Sequence, residues 1–495
     1  MPDDHVDDGA SGGWTRRRFL RAGGGALAGL AVSGGAIEAM RTVGPWQAAP
    51  QFRTFRSDTS LRATRLVVDA GGDEVAGSSG LLFFTPSGGK HNGLLITDDT
   101  GEPIWFRESA KSVANLRVQS YRDAPVLTWW EGDSVNGHGS GEYVILDASY
   151  NELRRVAAGH GYAGDLHEFV LTPQGTALLI AYAVTHATPA GAARPSGLLE
   201  GVIQEVDVDS GAVVFEWHSG DHVAVDESHA QPDKDTKVPF DYFHANSVDV
   251  TSDGQLLVSA RNTWSLYKID RRDGHVIWRL GGNKSDFRLG AGVQFEFQHD
   301  ARIHDDGLVT LFDNGASPKV ERESRALLLD VDEQNRTVKL HNEYRHPKHL
   351  SAGSQGNVQI LPNSNVFVGW GAEPHATEFS ADGNVVLDLA LPSGRYSYRA
   401  LRLPWTAAPA AGPEAVVRGV GNARTSVNVS WNGATDVANW VVLTGASADQ
   451  LGVATTVARA GFETMIRVDN ADPYVAVRAV DSRGTVLGTT PPITR

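Results

Sequence analysis

Three histidines occupy matching places in a chain that repeats itself: His167, His244 and His299. Each stands at the start of a short β-like segment that runs through a turn into an apolar strand. The segments read D-L-H-E-F-V-L-T-P-Q-G, H-A-N-S-V-D-V-T-S-D-G and Q-H-D-A-R-I-H-D-D-G. Matching positions in a repeat protein tend to lie at matching places in the fold. The sequence therefore predicts that the three imidazoles line one site.

Two further polar residues belong to this expected site. Asn246 shares a strand face with His244, and Arg261 ends the strand that follows. Guanidinium and imidazolium groups with few carboxylates favour a polyanionic ligand such as sulfate, and neutral imidazole is a competent nucleophile. Three histidines could equally hold a metal, although tertiary structure alone would have to assemble it, because the segments contain no H-x-H or H-x-x-x-H pair. A ligand-binding site without catalysis is a third interpretation.

Other side chains are weaker candidates. His375 stands near the end of a predicted strand and could reach the same site, and Trp130 and Trp370 could line an aromatic pocket or pack the core. Asp165 and Glu168 flank His167 and could orient imidazoles. A lone histidine on a strand is more often a structural hydrogen-bonding group. The matching positions of His167, His244 and His299 are therefore what favours a functional role for them.

The elements that must position these residues are β-strands. Short apolar runs alternate with turns rich in Asp, Gly, Asn and Ser, which is typical of an all-β protein. A hairpin with an acidic turn recurs six times at a spacing of roughly 50–60 residues, three times with a clear glycine-bearing turn and three times in a looser form, and hairpins with a second kind of turn lie between the copies. One hairpin of each kind makes a four-stranded blade, so residues 55–405 are predicted to form a six-bladed β-propeller whose inner strands carry the histidines.

The two ends of the chain read differently from the repeats. T-R-R-R-F-L-R precedes an Ala/Gly-rich run, which predicts a twin-arginine signal within residues 1–45, export by the twin-arginine machinery and a secreted or cell-surface protein. That run is too rich in glycine for a membrane span, so we expect no integral membrane protein after processing. Residues 406–413 read as a linker, and 414–495 as a fibronectin type III or Ig-like β-sandwich without catalytic residues.

Composition excludes several classes of function. The chain has 44 Lys and Arg against 59 Asp and Glu, a net charge of −15, which argues against a nucleic-acid partner. It has no cysteine, so disulfides, thiolate catalysis and cysteine-based zinc sites are excluded. The sequence predicts no cofactor.

A string of motifs resembles the arylsulfotransferase family, in particular the branch found in fungi and actinobacteria. The motifs are D-L-H-E-F, F-H-A-N-S-V-D, L-L-V-S-A-R, F-x-F-Q-H-D-A-R, L-F-D-N-G-A and S-Q-G-N-V-Q-I-L-P-N, and the resemblance covers residues 55–405. It implies a six-bladed propeller with its active site at the centre of the channel. It also implies ping-pong transfer of a sulfuryl group from a phenolic sulfate donor to a phenol acceptor, through a sulfohistidine and without a nucleotide sulfate donor.

The resemblance also implies roles for individual residues. His299 of Q-H-D would be the nucleophile, while His244, Asn246 and Arg261 would hold the sulfuryl oxygens. His167 would assist in binding or in proton transfer. The chain departs from the well-known periplasmic members in having no cysteine, because those members carry a disulfide.

Overall fold

The computed structural model describes residues 51–70, 78–89, 91–185, 197–232, 238–316, 319–420 and 424–495. The predicted signal segment, 1–45, lies outside these residues. In the described part, helical structure is confined to α1 (Ser219–His222) and a 3-10 turn, Val225–Glu227. Within the same ranges, no helix has the length and apolar character needed to cross a membrane. The all-β class predicted from the sequence is confirmed.

The strands at the beginning of the chain make two kinds of pairing. They are β1 (Phe52–Thr54), β2 (Arg62–Thr64), β3 (Val67–Ala70), β4 (Leu81–Phe84), β5 (Asn92–Thr97) and β6 (Pro103–Ser109). Strands β1 and β2 pair with each other, and β4, β5 and β6 form successive antiparallel pairs. Strands β3 and β4 also pair with strands from the end of the repeat region, as described below.

The middle of the chain folds into successive antiparallel sheets, each following the chain order. The first contains β7 (Ser112–Tyr121), β8 (Ala124–Val135), β9 (His138–Leu146) and β10 (Glu152–Val156). The second contains β11 (Phe169–Leu171), β12 (Thr176–Thr185), β13 (Leu198–Asp207) and β14 (Val213–His218), with β15 (Phe240–Asp241) parallel to β13. The third contains β16 (Ala245–Val250), β17 (Leu256–Ala260), β18 (Ser265–Ile269) and β19 (Val276–Gly281).

Two more sheets follow, and a last one joins the two ends of the repeat region. One contains β20 (Arg288–Leu289), β21 (His299–Ile303), β22 (Leu308–Asp313), β23 (Arg325–Asp332) and β24 (Thr337–Tyr344). The next contains β25 (Asn357–Ile360), β26 (Val366–Gly369), β27 (His375–Phe379) and β28 (Val385–Ala390), and β3 extends it at its edge. Strand β29 (Ala400–Leu403) pairs with β4, so this last sheet has the order β29-β4-β5-β6.

The inner strands of these sheets form a closed ring. Contacts run from β7 to β11, from the β11–β12 hairpin to β16, and then through β21, β25 and β29 back to β7. The core lies between neighbouring sheets, which explains why β12 and most of β13 are buried along both faces. The outer strand β10 is exposed except at Val156. The first residues of the inner strands therefore lie together at one end of the ring.

Turn chemistry accounts for the recurring hairpin. Gly211 and Gly274 follow acidic residues in two copies and have φ angles of +73° and +79°. Only glycine adopts this left-handed conformation without steric cost. At Gly274 a Cβ would also lie 3.2 Å from a ring carbon of Trp217, whose indole N–H donates to the Gly274 carbonyl at 2.9 Å. The glycine thus serves the turn in both copies, and at Gly274 it also leaves room for Trp217 of the preceding sheet.

The end of the chain forms two more sheets around one apolar core. Their strands are β30 (Glu414–Val420), β31 (Arg424–Ser430), β32 (Asn439–Ser447), β33 (Gln450–Ala458), β34 (Glu463–Val468), β35 (Tyr474–Val480), β36 (Val486–Thr489) and β37 (Ile493–Thr494). Strands β30, β31 and β34 make one sheet, and the other five make the second. Trp440 bridges them, because its indole N–H donates to Thr464 Oγ1 at 3.1 Å.

This C-terminal unit is closely attached to the repeat region. Glu463 accepts hydrogen bonds from the backbone N–H groups of Arg56 and Ser57, at 2.6 and 2.5 Å. In the predicted linker, 406–413, the Ala407 N–H donates to Thr435 Oγ1 and the Ala408 N–H to the Ala148 carbonyl, both at 3.0 Å. The segment is therefore packed between the two parts of the chain, which a free spacer would not be.

Candidate active site

A cavity of about 290 Å³ opens at the N-terminal ends of the inner strands. His167, His244, His299, Arg261 and Trp130 line it, together with backbone and side chains that precede β25 and β29. The structure therefore brings five of the eight predicted site residues to one place. It does so because each of the three histidines comes just before, or at the start of, an inner strand of a different sheet.

The three histidines lie close together but occupy different positions relative to their strands. His167 lies in the turn before β11, His244 immediately precedes β16, and His299 is the first residue of β21. The His167 and His244 ring centroids are 4.9 Å apart. His244 has a φ angle of +56°, a conformation that costs free energy for a side chain with a Cβ. Its surroundings hold it there and direct the ring into the cavity.

His299 is held by an amide. Its Nδ1 lies 2.7 Å from Asn314 Oδ1, and the Asn314 amide nitrogen donates to the carbonyls of Ala352 and Gln355 at 2.9 and 3.0 Å. Those two bonds fix the amide, so its oxygen must face the ring and Nδ1 must carry the proton. His299 Nε2 therefore carries no proton, and its lone pair accepts the backbone N–H of Gln355 at 3.2 Å.

The electrostatic surroundings keep His299 neutral. Burial, followed by the positive charge of Arg261, lowers the pKa of His299 well below its ordinary value. An amide oxygen offers an imidazolium less stabilisation than a carboxylate does. A neutral, oriented imidazole with an unprotonated nitrogen is the form that attacks an electrophile.

His167 and His244 face carboxylates instead. Asp165 accepts from the Nδ1–H of His167 and, at 2.9 Å, from its backbone N–H. Asp241 accepts from the Nδ1–H of His244 at 2.5 Å. A carboxylate at Nδ1 fixes the tautomer and stabilises the imidazolium that forms when Nε2 takes a proton. Two of the three rings are thus arranged to gain and lose protons, and the third is not.

Asp241 also connects His244 to a fourth histidine, His138. The same carboxylate oxygen lies 3.2 Å from His138 Nε2 and 3.7 Å from Arg261 Nη2. Burial raises the pKa of Asp241, but His244 and His138 outweigh it and hold that pKa well below its ordinary value. Burial and Arg261 lower the pKa of His244 well below its ordinary value, so the resting pair is a carboxylate and a neutral imidazole.

The remaining cavity residues supply positive charge and apolar walls. The guanidinium of Arg261 stacks 4.4 Å from the centre of the Phe297 ring, and its Nε donates to Asn262 Oδ1 at 3.1 Å. Trp130 is almost fully buried and donates its indole N–H to the Gly164 carbonyl at 2.9 Å. The cavity therefore combines a fixed cation with an aromatic wall.

Asn246 lies beneath the cavity and does not line it. It is fully buried, and its amide nitrogen donates to the Gln298 carbonyl at 2.7 Å. Its amide oxygen has no hydrogen-bond partner among the described residues. In this structure Asn246 therefore ties the segment of His244 to the segment of His299.

Two predicted site residues lie elsewhere, which corrects their expected placement. Trp370 is fully buried and packs edge-on against Phe312 and His346, with ring centroids 5.6 and 5.2 Å away. His375 directs Nδ1 at Asp388 Oδ1, 3.2 Å away. Strand β27, which begins at His375, is the third strand of its sheet and lies away from the ring of inner strands. His375, the first residue of that strand, therefore lies outside the cavity.

Sequence reasoning missed several residues of the site. His138 opens β9, outside the repeated histidine segments, so only the fold places it beside His244, with ring centroids 4.8 Å apart. Asn314 stands in the quoted motif L-F-D-N-G-A, but nothing in that string says that it faces His299. Tyr398 lies between His167 and His299, with centroid distances of 5.5 and 6.5 Å.

The hydrogen bonds bear on the alternative of a three-histidine metal site. Among the described residues, the group at this cavity whose ligand atoms lie within 4.8 Å of one another is His138, Asp241 and His244. His167 and His299 are outside that group, and their Nδ1 atoms are engaged by Asp165 and Asn314. The predicted set of three imidazoles is therefore not arranged as a ligand set.

A buried layer of charges lies beneath the histidines. Glu168 accepts from Arg117 at 2.9 Å, from Arg302, and from Arg399 at 3.3 Å, and Arg399 also donates to the His167 carbonyl at 3.0 Å. Burial raises the pKa of Glu168, but the three guanidinium groups lower it to about 2. Glu168 thus anchors the ring of strands, whereas Asp165 is the residue that orients an imidazole.

Fold and site together define an all-β protein with a cavity lined by three histidines and an arginine. The model of the arylsulfotransferase (ASST) family matches residues 117–391, and the chain belongs to this family. The family resemblance noted in the sequence is confirmed. A search of curated proteins found no match.

Similar solved structures are distant. They include a protein of unknown function from Bacteroides caccae (13% identity over 65% of this chain and 98% of that one, TM-score 0.40). A protein from Lactobacillus plantarum has 13% identity over 78% and 97%, with a TM-score of 0.34. A streptogramin B lyase has 11% identity over 66% and 96%, with a TM-score of 0.29. Likenesses this weak carry no functional inference.

Proposed function

We propose that this protein is an arylsulfotransferase that moves a sulfuryl group from a phenolic sulfate ester to a phenol, in two steps through a sulfohistidine at His299 and without a nucleotide donor. One observation supports this most directly. Among three histidines at matching positions, His299 alone faces an amide, Asn314, while the other two face carboxylates. This difference supports the assignment of the nucleophile to His299 and of proton transfer to the histidines that face carboxylates.

In the first step His299 Nε2 attacks sulfur, and the bond from sulfur to the aryl oxygen breaks. The electron pair of that bond leaves with the phenolate. The imidazolium form of His167, stabilised by Asp165, supplies a proton to the phenolate and becomes neutral. The products are a free phenol and a sulfuryl group on His299.

In the second step the acceptor phenol gives its proton to neutral His167 and attacks the same sulfur. The bond from sulfur to His299 Nε2 breaks, and its electron pair returns to the ring. The products are a new aryl sulfate, neutral His299 and protonated His167, so the cycle closes with protons and electrons balanced.

The sulfuryl oxygens carry the negative charge throughout both steps. Arg261, in the cavity wall, is a donor fixed before substrate arrives, and the Gln355 N–H, which donates to His299 Nε2 at 3.2 Å, becomes free for a sulfuryl oxygen when that nitrogen attacks. Preorganised donors of this kind lower the barrier because they need no reorganisation during reaction. An anionic group beside His244 offsets the effect of Arg261 and favours the imidazolium that Asp241 stabilises, which adds a third donor.

The proposal extends to architecture and location. The six sheets that surround the ring are interpreted as blades of a six-bladed propeller over 55–405, and 414–495 as a fibronectin type III or Ig-like sandwich. Export by the twin-arginine machinery, through the signal within 1–45, would place the enzyme outside the cytoplasm. Phenolic donors and acceptors would then reach the cavity without crossing a membrane.

Incubation with 4-nitrophenyl sulfate, with and without phenol, tests the activity. Transfer predicts nitrophenol release that depends on the phenol, together with formation of phenyl sulfate. Equal release without phenol would indicate a hydrolase, and loss of that release on chelation would indicate a metal-dependent one. No release under either condition would favour a ligand-binding protein and contradict the proposal.

A further inference from the structure

A group of three carboxylates lies behind the catalytic strand, outside the cavity. Glu296, Asp313 and Glu321 each offer an oxygen, and these ligand atoms lie within 4.8 Å of one another. Glu296 and Asp313 are 2% and 0% exposed, and the side chain of Glu321 is 26% exposed. Carboxylates that are buried together repel one another unless a cation compensates them.

One carboxylate oxygen of Glu296 indicates that a ligand belongs at this group. Its Oε2 is buried and has no hydrogen-bond partner among the residues that the structure describes. An unpaired buried carboxylate oxygen is costly, because it has lost water and gained nothing.

Neighbouring cations do not balance this group. Arg325 bonds to Asp313, Glu321 and Glu343 at 2.9, 3.1 and 2.9 Å. Arg345 is divided between Glu343 and Glu323, and an exposed histidine, His349, contacts Glu323 as well. Four carboxylates thus share two guanidinium groups, and among the residues that the structure describes Glu296 has no ion pair with either of them.

We propose that Glu296, Asp313 and Glu321 form a binding site for a divalent cation of the Ca²⁺ type. All three donors are carboxylate oxygens, the ligands preferred by hard cations, and the group contains no imidazole of the kind that favours zinc. Ca²⁺ also accepts irregular arrangements of ligands and completes its shell with water or backbone carbonyls. That tolerance suits three side chains carried by three different segments.

The position of the group connects it with the catalytic histidine. Asp313 ends β22 and is followed directly by Asn314, which orients His299, while Glu296 lies three residues before His299. The Gly315 N–H donates to the Glu296 carbonyl at 2.9 Å. A cation held by Glu296 and Asp313 therefore ties together the two segments that set the direction of the His299 ring.

Calorimetric titration of the full chain, stripped with a chelator, against CaCl₂ tests the site directly. We expect saturable binding of one Ca²⁺ per chain and a Tm that rises with Ca²⁺ concentration. Glu296→Gln and Glu321→Gln should each weaken binding by roughly tenfold or more, because each removes a charged ligand. The partly exposed position of Glu321 makes its variant the safer test if Glu296→Gln folds poorly.

Asp273→Asn is the matched control, because Asp273 belongs to another acidic group, with Asp270 and His275, that is largely exposed. This variant should bind Ca²⁺ like the parent. Without Ca²⁺, Glu296→Gln should be at least as stable as the parent, since it removes an uncompensated charge. Absence of binding heat and of a Tm shift in the parent, or unchanged binding in both site variants, would overturn the proposal, whatever the sulfotransferase assay shows.

Discussion

Replacing Asp241 with Asn removes one negative charge from the cavity and keeps the size of the side chain. The carboxylate accepts the N–H of His244 at 2.5 Å, contacts His138 at 3.2 Å and lies 3.7 Å from Arg261. An amide oxygen can still accept from neutral His244. It cannot stabilise the imidazolium to the same extent. The variant therefore removes the negative charge at position 241 while keeping the hydrogen bond to His244.

The magnitude follows from the difference between a charge-assisted and a neutral hydrogen bond. That difference is about 1–2 kcal/mol, since bonds to charged groups contribute roughly twice as much. One pKa unit corresponds to about 1.4 kcal/mol, so the pKa of His244 should fall by about one further unit. If the His244 imidazolium holds a sulfuryl oxygen, kcat/KM at neutral pH should fall by about tenfold.

The direction of the change in the pH profile of kcat/KM follows from the lower pKa of His244. A lower pKa means that less His244 is protonated at a given pH, so the alkaline limb of the profile of kcat/KM should move to lower pH in Asp241→Asn. The assay is acceptor-dependent release from 4-nitrophenyl sulfate between acidic and alkaline pH. Asp209→Asn, an exposed carboxylate paired with Arg122, is the control and should match the parent. Parental activity with an unshifted profile in Asp241→Asn would refute this reasoning.

Further predictions concern Asn314, His375 and Glu168. Asn314→Ala frees the His299 ring and should reduce kcat by about tenfold to a hundredfold with little change in KM; an unchanged kcat would contradict the role of the amide. His375→Gln should leave kcat and KM unchanged, because the side chain contacts Asp388 outside the cavity; a large loss of activity would contradict the placement. The depressed pKa of Glu168, about 2 against 4.5, predicts a stabilisation of about 3 kcal/mol that is present above pH about 4.5 and is lost as pH falls toward 2. Denaturant unfolding monitored against pH should show this loss, and Glu168→Gln should flatten it.

The sequence predicted the parts of the site that the repeats encode. Turn glycines and alternating apolar runs identified the hairpins, because their backbone chemistry is local. The matching positions of His167, His244 and His299 were sufficient to predict a shared location, since each opens an inner strand. The family resemblance was confirmed by the match over residues 117–391.

The parts that were missed depend on contacts between segments far apart in the chain. His138 reaches His244 from the start of β9, more than 100 residues before Asp241, with which it pairs. Asn246 was predicted to share a strand face with His244, but it does not line the cavity, and its amide N–H donates to the backbone carbonyl of Gln298. His375 was placed near the cavity from its position at a strand end, but the fold makes that strand the third of its sheet. Distances of this kind have no signature in a single sequence.

The central claim is that His299 carries the sulfuryl group between donor and acceptor. Mass spectrometry of the protein after incubation with 4-nitrophenyl sulfate, quenched before any phenol is added, tests it most directly. We predict a mass increase of one sulfuryl group on the peptide containing His299, which disappears when phenol is added and never forms in His299→Ala. Turnover by His299→Ala at the parental rate, or a sulfuryl group on a different residue, would contradict the account.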